Sequence, residues 1–508
     1  MSVHAAKPAE SLTEQTDRLR LAASKALDSA ERSRMGQFFT PAPVARFMAS
    51  LFQTRRNDIS LLDAGAGIGS LTAAFVEEMI SRPHPPRSIH AVAYEMAPPV
   101  ARHLATTMKC CRAACEEAGV SFSGDVKEED FIGACARMLG GRLFAADAPR
   151  FDCAILNPPY HKIHSDSTSR RLLREIGVET SNLYAAFLAL VVQLLRPGAE
   201  LVAITPRSFC NGPYFKPFRR AFLRDMSLRR VHVFESRDTA FRDDGVLQEN
   251  VILHAVKSAE KTPVVFTSSA GSREFEGRAH EVEYRDVVRP DDPESFIRIT
   301  TNDVDARVCE RMAAYQSTLD DLGFSVSTGP VVDFRAKRWL LQEPDERAAP
   351  LIYPCHFNAG FVQWPKPGAK KPNAIILCAH TESLLVPADI YVLVKRFSAK
   401  EEPRRIVAAI YDPRRISAER VGFENHLNYF HAKGRGLSAK VAKGLAIYLN
   451  SSLVDAFFRQ FSGHTQVNAT DLRNMKYPPA AQLSAMGARM GDSFPGQDDV
   501  DAILEETT

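Results

Sequence analysis

The chain has few cysteines and no long apolar run. Its 508 residues include nine cysteines without a repeated spacing, which fits reduced thiols better than a disulfide framework. Three of them cluster on one predicted helix without a second Cys-x-x-Cys pair, so we expect no metal site at Cys110, Cys111 and Cys115. No uncharged apolar run approaches the ~18 residues that span a bilayer, and the N-terminus lacks the order of a signal peptide. We therefore expect a cytoplasmic protein.

A large excess of charge of one sign is also missing. The 64 basic and 61 acidic residues give a net charge of +3, which neither requires nor excludes a polyanionic partner. Hydrophobic residues make up 45% and charged residues 25% of the chain, which is typical of a packed protein and excludes a largely disordered one. A chain of this length has room for roughly two to four domains, each able to bury its own core.

Short apolar runs alternate with amphipathic segments between Leu61 and about His254. This alternation predicts an α/β domain with a doubly wound, parallel sheet that carries helices on both faces. The predicted strands are Ser60–Ala64, Ile89–Tyr94, Phe151–Leu156, Glu200–Thr205, Arg230–Phe234 and Val251–Val256. The clearest predicted helices are Leu71–Ile80, Pro99–Gly119 and Asn182–Leu195.

After Lys257 the sequence becomes less periodic and is punctuated by prolines. Short β-like pieces at Val264–Thr267, Ala374–Leu377 and Ile390–Val394 predict a second, mixed α+β domain. The last residues carry six acidic side chains against one arginine, which is typical of a loose acidic tail. The predicted organisation is an N-terminal helical extension, a first domain, a second domain and a tail, at residues 1–30, 31–257, 258–484 and 485–508.

A glycine-rich turn follows the first predicted strand. Asp63 lies at the end of that strand, and Gly65, Gly67 and Gly69 precede the start of a helix. Glycines permit a tight turn and let a ligand approach the backbone at the positive end of the helix. The pattern therefore predicts a nucleotide-type binding turn, with a purely structural turn as the alternative.

Two further acidic residues stand where such a fold would use them. The second predicted strand runs into Glu95, at the position where doubly wound folds place an acid for ribose hydroxyls. Asp130, near the same sheet edge, is suited to accept from an adenine amino group, and Phe131 beside it is suited to pack on the base. The alternative for Glu95 is a solvated residue at a strand end.

The most specific signal is the tetrapeptide Asn157-Pro158-Pro159-Tyr160, which directly follows a buried strand. Pro158 keeps Asn157 out of the helical region, and the two prolines fix φ and remove two backbone donors. The Asn157 side-chain oxygen and the Pro158 carbonyl would then accept from one exocyclic NH2 of a base, while Tyr160 stacks on its ring. This pattern predicts chemistry on a base amine, with a chance strand-to-turn junction as the alternative.

In this order, the motifs resemble those of S-adenosylmethionine-dependent amino-methyltransferases, specifically the gamma-type N6-adenine DNA methyltransferases of restriction-modification systems. The resemblance spans about residues 31–480, includes Gly36–Pro41 as an N-terminal cofactor motif, and departs from the family at Ala64, where a proline is common. It implies a Rossmann-like catalytic domain and direct methyl transfer without a metal. The implied S-adenosylmethionine contacts are Phe39, Thr40, Pro41, Asp63, Gly65, Gly67, Gly69, Glu95, Asp130, Phe131 and Asn157.

Three later segments resemble the target-recognition blocks of PstI- and BsuBI-type modification methylases: Ser327–Arg335, Phe423–Asn428 and Ser462–Asn468. The resemblance implies that the C-terminal mixed α+β domain recognises double-stranded DNA. The DNA contacts expected there are Arg335, Lys337, Arg338, Asn425, Asn428, His464, Thr465, Gln466 and Asn468. A basic run in the first domain predicts phosphate contacts at Lys216, Arg219 and Arg220, with a solvated helix face as the alternative.

Adenine N6 is out of reach inside a stacked duplex, so the implied reaction requires the target base to swing out. Tyr160 would stack on one face of that base. Phe241 is our candidate for the other face, and a plain core position is the alternative for this residue.

Other functions remain open at this point, namely N4-cytosine methylation, glutamine methylation of a protein, and DNA binding without catalysis. The long second domain is more than protein methylation needs, and the intact glycine turn argues against a non-catalytic subunit. No pair of carboxylates with a lysine, as a nuclease would need, stands out before residue 31 or after residue 257. We therefore expect modification alone, with a separate cognate endonuclease, acting on the bacterial nucleoid.

Overall fold

The structure of the chain is a computed structural model. It describes residues 10–26, 39–140, 148–234, 250–269, 275, 279–299, 303–398, 402–461 and 466–507. The chain divides into two compact units, residues 1–301 and 302–508. No helix within these described ranges combines the length and the apolar character needed to cross a membrane.

The first unit contains a nine-stranded sheet in the order β3-β2-β1-β4-β5-β7-β6-β8-β9. The first five strands in this order pair in parallel, whereas β7 is antiparallel to both of its neighbours. The strands are β1 (Asp58–Ala64), β2 (Ser88–Tyr94), β3 (Ser121–Lys127), β4 (Phe151–Leu156), β5 (Leu195–Pro206), β6 (Ser227–Phe234), β7 (Asn250–Val256), β8 (Val264–Ser269) and β9 (His280–Val282).

Helices cover both faces of this sheet, which confirms the predicted doubly wound, Rossmann-like α/β fold. Val44, Phe75 and Leu104 pack on one face, and Leu190 and Phe222 pack on the other. The helices of this unit are α1 (Leu12–Ala26), α2 (Ala42–Ser50), α3 (Ser70–Ile80), α4 (Pro98–Glu117), α5 (Phe131–Leu139), α6 (Thr168–Glu175), α7 (Leu183–Leu194), α8 (Lys216–Asp225) and α9 (Tyr284–Val287).

The strand order reverses direction between β1 and β4. In open α/β sheets, the crevice outside the carboxyl ends of the strands at such a point is where ligands bind. The glycine turn follows β1, and Asn157 follows β4, whose six residues are all buried. The topology therefore places the two most informative motifs of the sequence on adjacent strand ends.

Three expectations about this unit require correction. The sheet is mixed, because β7 runs antiparallel between β5 and β6. The predicted boundary after residue 257 lies between β7 and β8, and β8 pairs with β6 in the same sheet, so the unit continues to residue 301. The sequence alone also left β3 unassigned, because its Ser, Gly, Asp and Lys residues reflect an edge strand with many polar side chains.

The second unit is built on two smaller sheets, with the orders β10-β20-β17-β18-β14-β13 and β11-β15-β12-β19-β16. Their strands are β10 (Ser325–Thr328), β11 (Leu340–Leu341), β12 (Ala348–Ile352), β13 (Phe357–Asn358), β14 (Phe361–Val362), β15 (Ala374–Ile376), β16 (Leu385–Pro387), β17 (Tyr391–Lys395), β18 (Ala408–Tyr411), β19 (Arg420–Phe423) and β20 (Leu427–His431). The helices are α10 (Asp303–Ala313), α11 (Asp333–Ala336), α12 (Ala439–Leu449), α13 (Ser452–Phe461), α14 (Ala469–Arg473), α15 (Ala480–Arg489) and α16 (Gln497–Thr507).

The expected loose tail after residue 484 is also corrected, because α15 and α16 are packed helices. Val500 and Leu504 of α16 are 1% exposed, and this i, i+4 spacing places both on one helix face. Among the acidic residues, Asp501 accepts from the backbone N–H of Ser452 at 2.7 Å. The acidic composition therefore describes the outer face of a packed helix.

Candidate active site

A pocket of about 720 Å³ opens in the first unit where β1, β2 and β4 end. Aromatic, carboxylate and backbone groups share its wall. The lining residues are Phe39, Thr40, Gly65, Ala66, Gly67, Ile68, Ser70, Leu71, Tyr94, Glu95, Met96, Glu129, Asp130, Phe131, Asn157, Pro159 and Phe187. Eight of the eleven residues expected to hold a cofactor are in this set, and the other three are Pro41, Asp63 and Gly69.

The glycine turn forms one side of the pocket. Gly65 and Gly67 have φ values of 77° and 57°, which side chains other than glycine rarely adopt. A Cβ atom on Gly67 would lie 3.0 Å from the Phe39 ring, and one on Gly65 would lie 3.3 Å from the Phe187 ring. The turn therefore needs glycine for its backbone and for the close approach of two aromatic rings. Gly69 precedes α3 as its N-cap residue.

Glu95 ties the glycine turn to the end of β2. Its carboxylate accepts from the backbone N–H of Gly67 at 3.1 Å and from that of Ala97 at 2.8 Å. Burial raises the pKa of Glu95, and the bonds from Ala97 and Gly67 oppose this change. The side chain thus holds the turn in place while lining the pocket, and its expected contact with ribose hydroxyls stays a prediction.

Asp63 lies behind the turn and does not line the pocket. It is 1% exposed, and its Oδ2 accepts from the Thr72 hydroxyl at 2.7 Å. Its Oδ1 has no hydrogen-bond partner among the residues that the structure describes. Burial raises the pKa of Asp63 from 3.8 to about 7, against the opposing bond from Thr72. The geometry supports a role in shaping the turn, and contact with a cofactor stays a prediction.

Asp130 and Phe131 form another wall, and the structure gives both a local role. Asp130 is the N-cap residue of α5, and its side chain accepts from the backbone N–H of Gly133 at 2.8 Å and of Ile132 at 3.3 Å. The Phe131 ring lies 5.1 Å from the rings of both Tyr94 and Phe187. An aspartate directly before a helix is a common N-cap residue, so helix capping explains Asp130 without a ligand.

The Asn157–Tyr160 corner lies at the edge of the same pocket. Asn157 Nδ2 donates to the Thr40 hydroxyl at 3.2 Å, which joins two motifs 117 residues apart. The Tyr160 hydroxyl donates to the Ile204 carbonyl at 3.3 Å, and its ring meets Tyr184 edge-on at 6.3 Å. Burial raises the pKa of Tyr160 well above its usual value, so the phenol stays neutral. Within the corner, Pro158 is buried.

The Thr-Pro turn supplies the remaining wall. Phe39 and Thr40 are buried, and Pro41 is the N-cap residue of α2. The Phe39 ring covers Gly67, and the Thr40 hydroxyl meets Asn157. The N-terminal motif and the strand-end motifs therefore converge as the resemblance implied, although Gly36, Gln37 and Phe38 lie outside the described residues.

Four further pocket residues were not predicted from the sequence: Ser70, Tyr94, Met96 and Phe187. The Ser70 hydroxyl is buried and has no hydrogen-bond partner within the described ranges. A serine at the first position of the helix after a glycine turn is the signal that would have indicated it. Tyr94 ends a buried strand, and such residues are assigned to the core from sequence alone.

These residues fit S-adenosylmethionine. An unpaired buried hydroxyl at a helix N-terminus, three carboxylates and an aromatic wall match a ligand with a methionine group, a ribose and an adenine. The groups that would hold it are Thr40, Gly67, Ser70, Glu95 and Phe131. Among the described residues, no group of three or more His, Cys, Asp and Glu side chains is arranged as a metal site.

One predicted phosphate contact in the first unit is a structural residue. Arg219 is fully buried, and its guanidinium donates to the carbonyls of Phe209 at 3.0 Å, Gly212 at 2.6 Å and Glu294 at 2.9 Å. The Arg219 guanidinium therefore holds α8 against the neighbouring segments of the first unit. Lys216 pairs with Glu294 at 2.5 Å, and the exposed Arg220 donates to the carbonyl of Pro293 at 2.8 Å.

In the second unit, the three expected recognition segments meet. The backbone N–H of Gly329 donates to Leu427 at 2.8 Å, and that of Asn425 donates to Val331 at 2.9 Å. Asn428 joins all three segments, because its Oδ1 accepts from Thr328 at 3.0 Å and its Nδ2 donates to Val467 at 2.7 Å.

This arrangement changes the interpretation of two amides. Asn428 is fully buried, so it holds the segments together and does not face a base. Asn468 begins α14, and its backbone N–H donates to Asp471 at 2.8 Å. Arg335, Lys337 and Arg338 are exposed, and Asn425 and Gln466 are half-buried, so these stay predicted DNA contacts. Phe241, His464 and Thr465 lie outside the described residues.

Comparison with known proteins links the chain to methyltransferases. The model of the Eco57I restriction-modification methylase family matches residues 122–241. The type II methyltransferase M.PstI of Providencia stuartii is 43% identical over 492 residues, which cover 97% of this chain and 96% of that protein. M.BsuBI of Bacillus subtilis, also a type II methyltransferase, is 44% identical over 501 residues, which cover 97% and 98%.

Among solved structures, the type IIL restriction-modification enzyme MmeI in complex with DNA matches with a TM-score of 0.52 and 11% identity. The match covers 97% of this chain and 74% of that protein. At this identity, the likeness is one of fold.

Proposed function

The chain belongs to the type II methyltransferases of restriction-modification systems, and from this premise we propose that it methylates N6 of adenine at specific sites in double-stranded DNA. Such methylation would protect the DNA of the host. The observation that carries the proposal is the Asn157–Tyr160 corner, which is joined to the cofactor pocket by the bond between Asn157 and Thr40. The cofactor is S-adenosylmethionine, which supplies an electrophilic methyl group when it is bound.

The corner would act by accepting hydrogen bonds from the base. With Nδ2 donating to Thr40, the acceptor oxygen Oδ1 is the other branch of the Asn157 amide. That oxygen and the Pro158 carbonyl would accept from the two N–H bonds of one amine, which favours a pyramidal and more nucleophilic nitrogen. Alignment of this nitrogen with the cofactor methyl group would supply much of the rate acceleration. The amine proton would leave after methyl transfer.

Tyr160 would hold the ring of the flipped base. Its hydroxyl is tied to the Ile204 carbonyl and its edge meets Tyr184, so the plane of the ring is set before a base arrives. A ring that is already oriented loses little side-chain entropy when it stacks. This stacking would offset part of the few kcal/mol that it costs to swing a nucleotide out of the duplex.

The second unit would supply recognition of the DNA sequence. The exposed cations Arg335, Lys337 and Arg338 follow Val331, whose carbonyl accepts from the backbone N–H of Asn425, so charge suited to phosphates and a half-buried amide lie on connected segments. Phosphate contacts orient a protein on DNA, and amides read base edges. A cognate endonuclease that cuts the unmethylated site would complete the system on the bacterial nucleoid.

The experiment that tests the proposal is transfer of a tritiated methyl group from S-adenosylmethionine to plasmid DNA, followed by digestion to nucleosides. Label in N6-methyldeoxyadenosine is expected. Label in N4-methyldeoxycytidine, or in a protein substrate, would refute the assignment to adenine. DNA binding without any transfer would indicate a non-catalytic subunit. Asn157→Ala is the matched control, because it removes the acceptor and leaves the glycine turn intact.

A further inference from the structure

A large apolar ring stands in solvent on a basic segment of the second unit. Phe334 is 76% exposed, which is unusual for a phenylalanine. It lies on α11, which runs directly into a short helical turn, Lys337–Trp339. We call residues 333–339 the aromatic-basic segment.

The exposure of Phe334 is imposed by an anchored backbone. Asp333 accepts from the Tyr353 hydroxyl and from Lys371 Nζ, each at 2.7 Å. Ala336 is 1% exposed, and its backbone N–H donates to the Val332 carbonyl at 2.9 Å. Since Asp333 and Ala336 are held on the protein, the ring between them is directed outward.

The other aromatic ring of this segment is used differently. Trp339 has the Arg338 guanidinium over its ring at 4.0 Å and the His380 ring stacked at 5.7 Å, so this ring already has two partners within the protein. The Arg335 guanidinium lies over the Phe334 ring at 5.5 Å, but no ring of the described residues stacks on Phe334, and its side chain is 76% exposed. Phe334 is therefore the ring of this segment that is open to a partner.

The charge around Phe334 selects the chemistry of that partner. Arg335, Lys337 and Arg338 are exposed, while the single acid, Asp333, is paired with Lys371. Three cations around an open aromatic ring match a polymer with phosphates outside and flat apolar rings inside. Val331, two residues before the segment, accepts from the backbone N–H of Asn425 at 2.9 Å, within the expected recognition segments.

We propose that Phe334 stacks on a nucleobase of the bound DNA as a wedge at a base step, while the neighbouring cations hold the flanking phosphates. This inference rests on the proposed function, because it assumes that DNA is the substrate. An inserted apolar side chain unstacks one step and bends the duplex. The gain would come from burying a ring that is otherwise exposed to water.

The test separates stacking from charge by titrating salt. Binding of a fluorescent plasmid fragment is measured by anisotropy between about 50 and 200 mM salt, for the wild type, Phe334→Ala, Phe334→Trp and Arg335→Ala. Phe334→Ala should weaken binding about 5- to 150-fold at every salt concentration with an unchanged salt slope, because the ring releases no counterion. Phe334→Trp should restore binding. Arg335→Ala should reduce the slope by about 0.9.

A matched control is Leu21→Ala, an exposed apolar residue on α1 of the first unit, which should bind as the wild type does. If the wild type neither binds nor methylates the fragment, the proposed function fails. If the wild type does both and Phe334→Ala binds equally well, only the present inference fails. Binding to phosphatidylserine vesicles that is lost in Phe334→Ala, with DNA affinity retained, would place the ring in a lipid surface and overturn the proposal.

Discussion

The pocket of the first unit and the recognition segments of the second unit use their polar residues in different ways. In the pocket, Thr40, Glu95 and Asn157 bond to one another or to the glycine turn and still face the ligand space. In the second unit, Asn428 bonds to two segments, one of them 100 residues away, and is buried. A polar residue just beyond a strand end is displayed by the sheet, whereas Asn428 lies inside β20, where it is covered and holds neighbouring segments together.

The largest expected effect on this difference is at the Asn157–Tyr160 corner, the proposed site of reaction. Asn157→Ala should lower the turnover number by about 100- to 1,000-fold, because it removes a preorganised hydrogen-bond acceptor from the site of reaction. The dissociation constant of S-adenosylmethionine, measured by calorimetry, should change much less. Equal losses of both would mean that Asn157 is a structural residue and that the corner does not differ from the second unit.

Arg219, a buried cation of the first unit, is expected to matter for stability and not for DNA binding. Arg219→Ala should lower the free energy of unfolding by about 3 kcal/mol, because buried carbonyls lose their donors. The exposed Arg220→Ala is its control and should change stability by less than about 0.5 kcal/mol. Far-UV circular dichroism in urea is the measurement, since both tryptophans lie in the second unit. A loss of DNA affinity by folded Arg219→Ala, with a reduced salt slope, would contradict the structural role.

The buried acid behind the glycine turn gives a prediction in pH. Because the pKa of Asp63 is raised to about 7, the folded state retains a proton that the unfolded state releases near pH 4. This group therefore lowers stability progressively as pH rises from about 4 to about 7. Relative to the wild type, the free energy of unfolding of Asp63→Asn should therefore increase by about 1–3 kcal/mol from pH 5 to pH 8. The same difference at both pH values would show that Asp63 is ionised throughout.

The smallest expected effect compares two amides of the second unit. Asn428→Ala should lower the stability of this unit by about 1–2 kcal/mol, because the buried Val467 carbonyl loses its donor. Asn425→Ala should leave stability nearly unchanged and weaken DNA binding. Tryptophan fluorescence in urea follows the first change, since Trp339 and Trp364 both belong to this unit. Stable Asn428→Ala with impaired DNA binding would restore Asn428 as a base-reading residue.

Much of the first unit was predictable because its signals are local. Each of the six predicted strands overlaps an observed strand, and the residues after β1, β2 and β4 line one pocket. The predicted family resemblance is confirmed by relatives of 43% and 44% identity. What failed depends on contacts distant in sequence, since β8 joins the first sheet by pairing with β6, and α16 is held by an apolar face.

The backbone shape of the pocket follows from the amino-acid sequence alone, because glycines that need positive φ and two consecutive prolines dictate conformation within a few residues. The alternation of strands and helices follows from it as well, since hydrophobic periodicity is a local property. Which polar side chains remain open to a ligand depends instead on how distant parts of the chain pack together. Burial depends on what packs above a residue, so Arg219 and Asn428 became structural, while the Ser70 hydroxyl has no hydrogen-bond partner among the described residues and the Phe334 ring is 76% exposed.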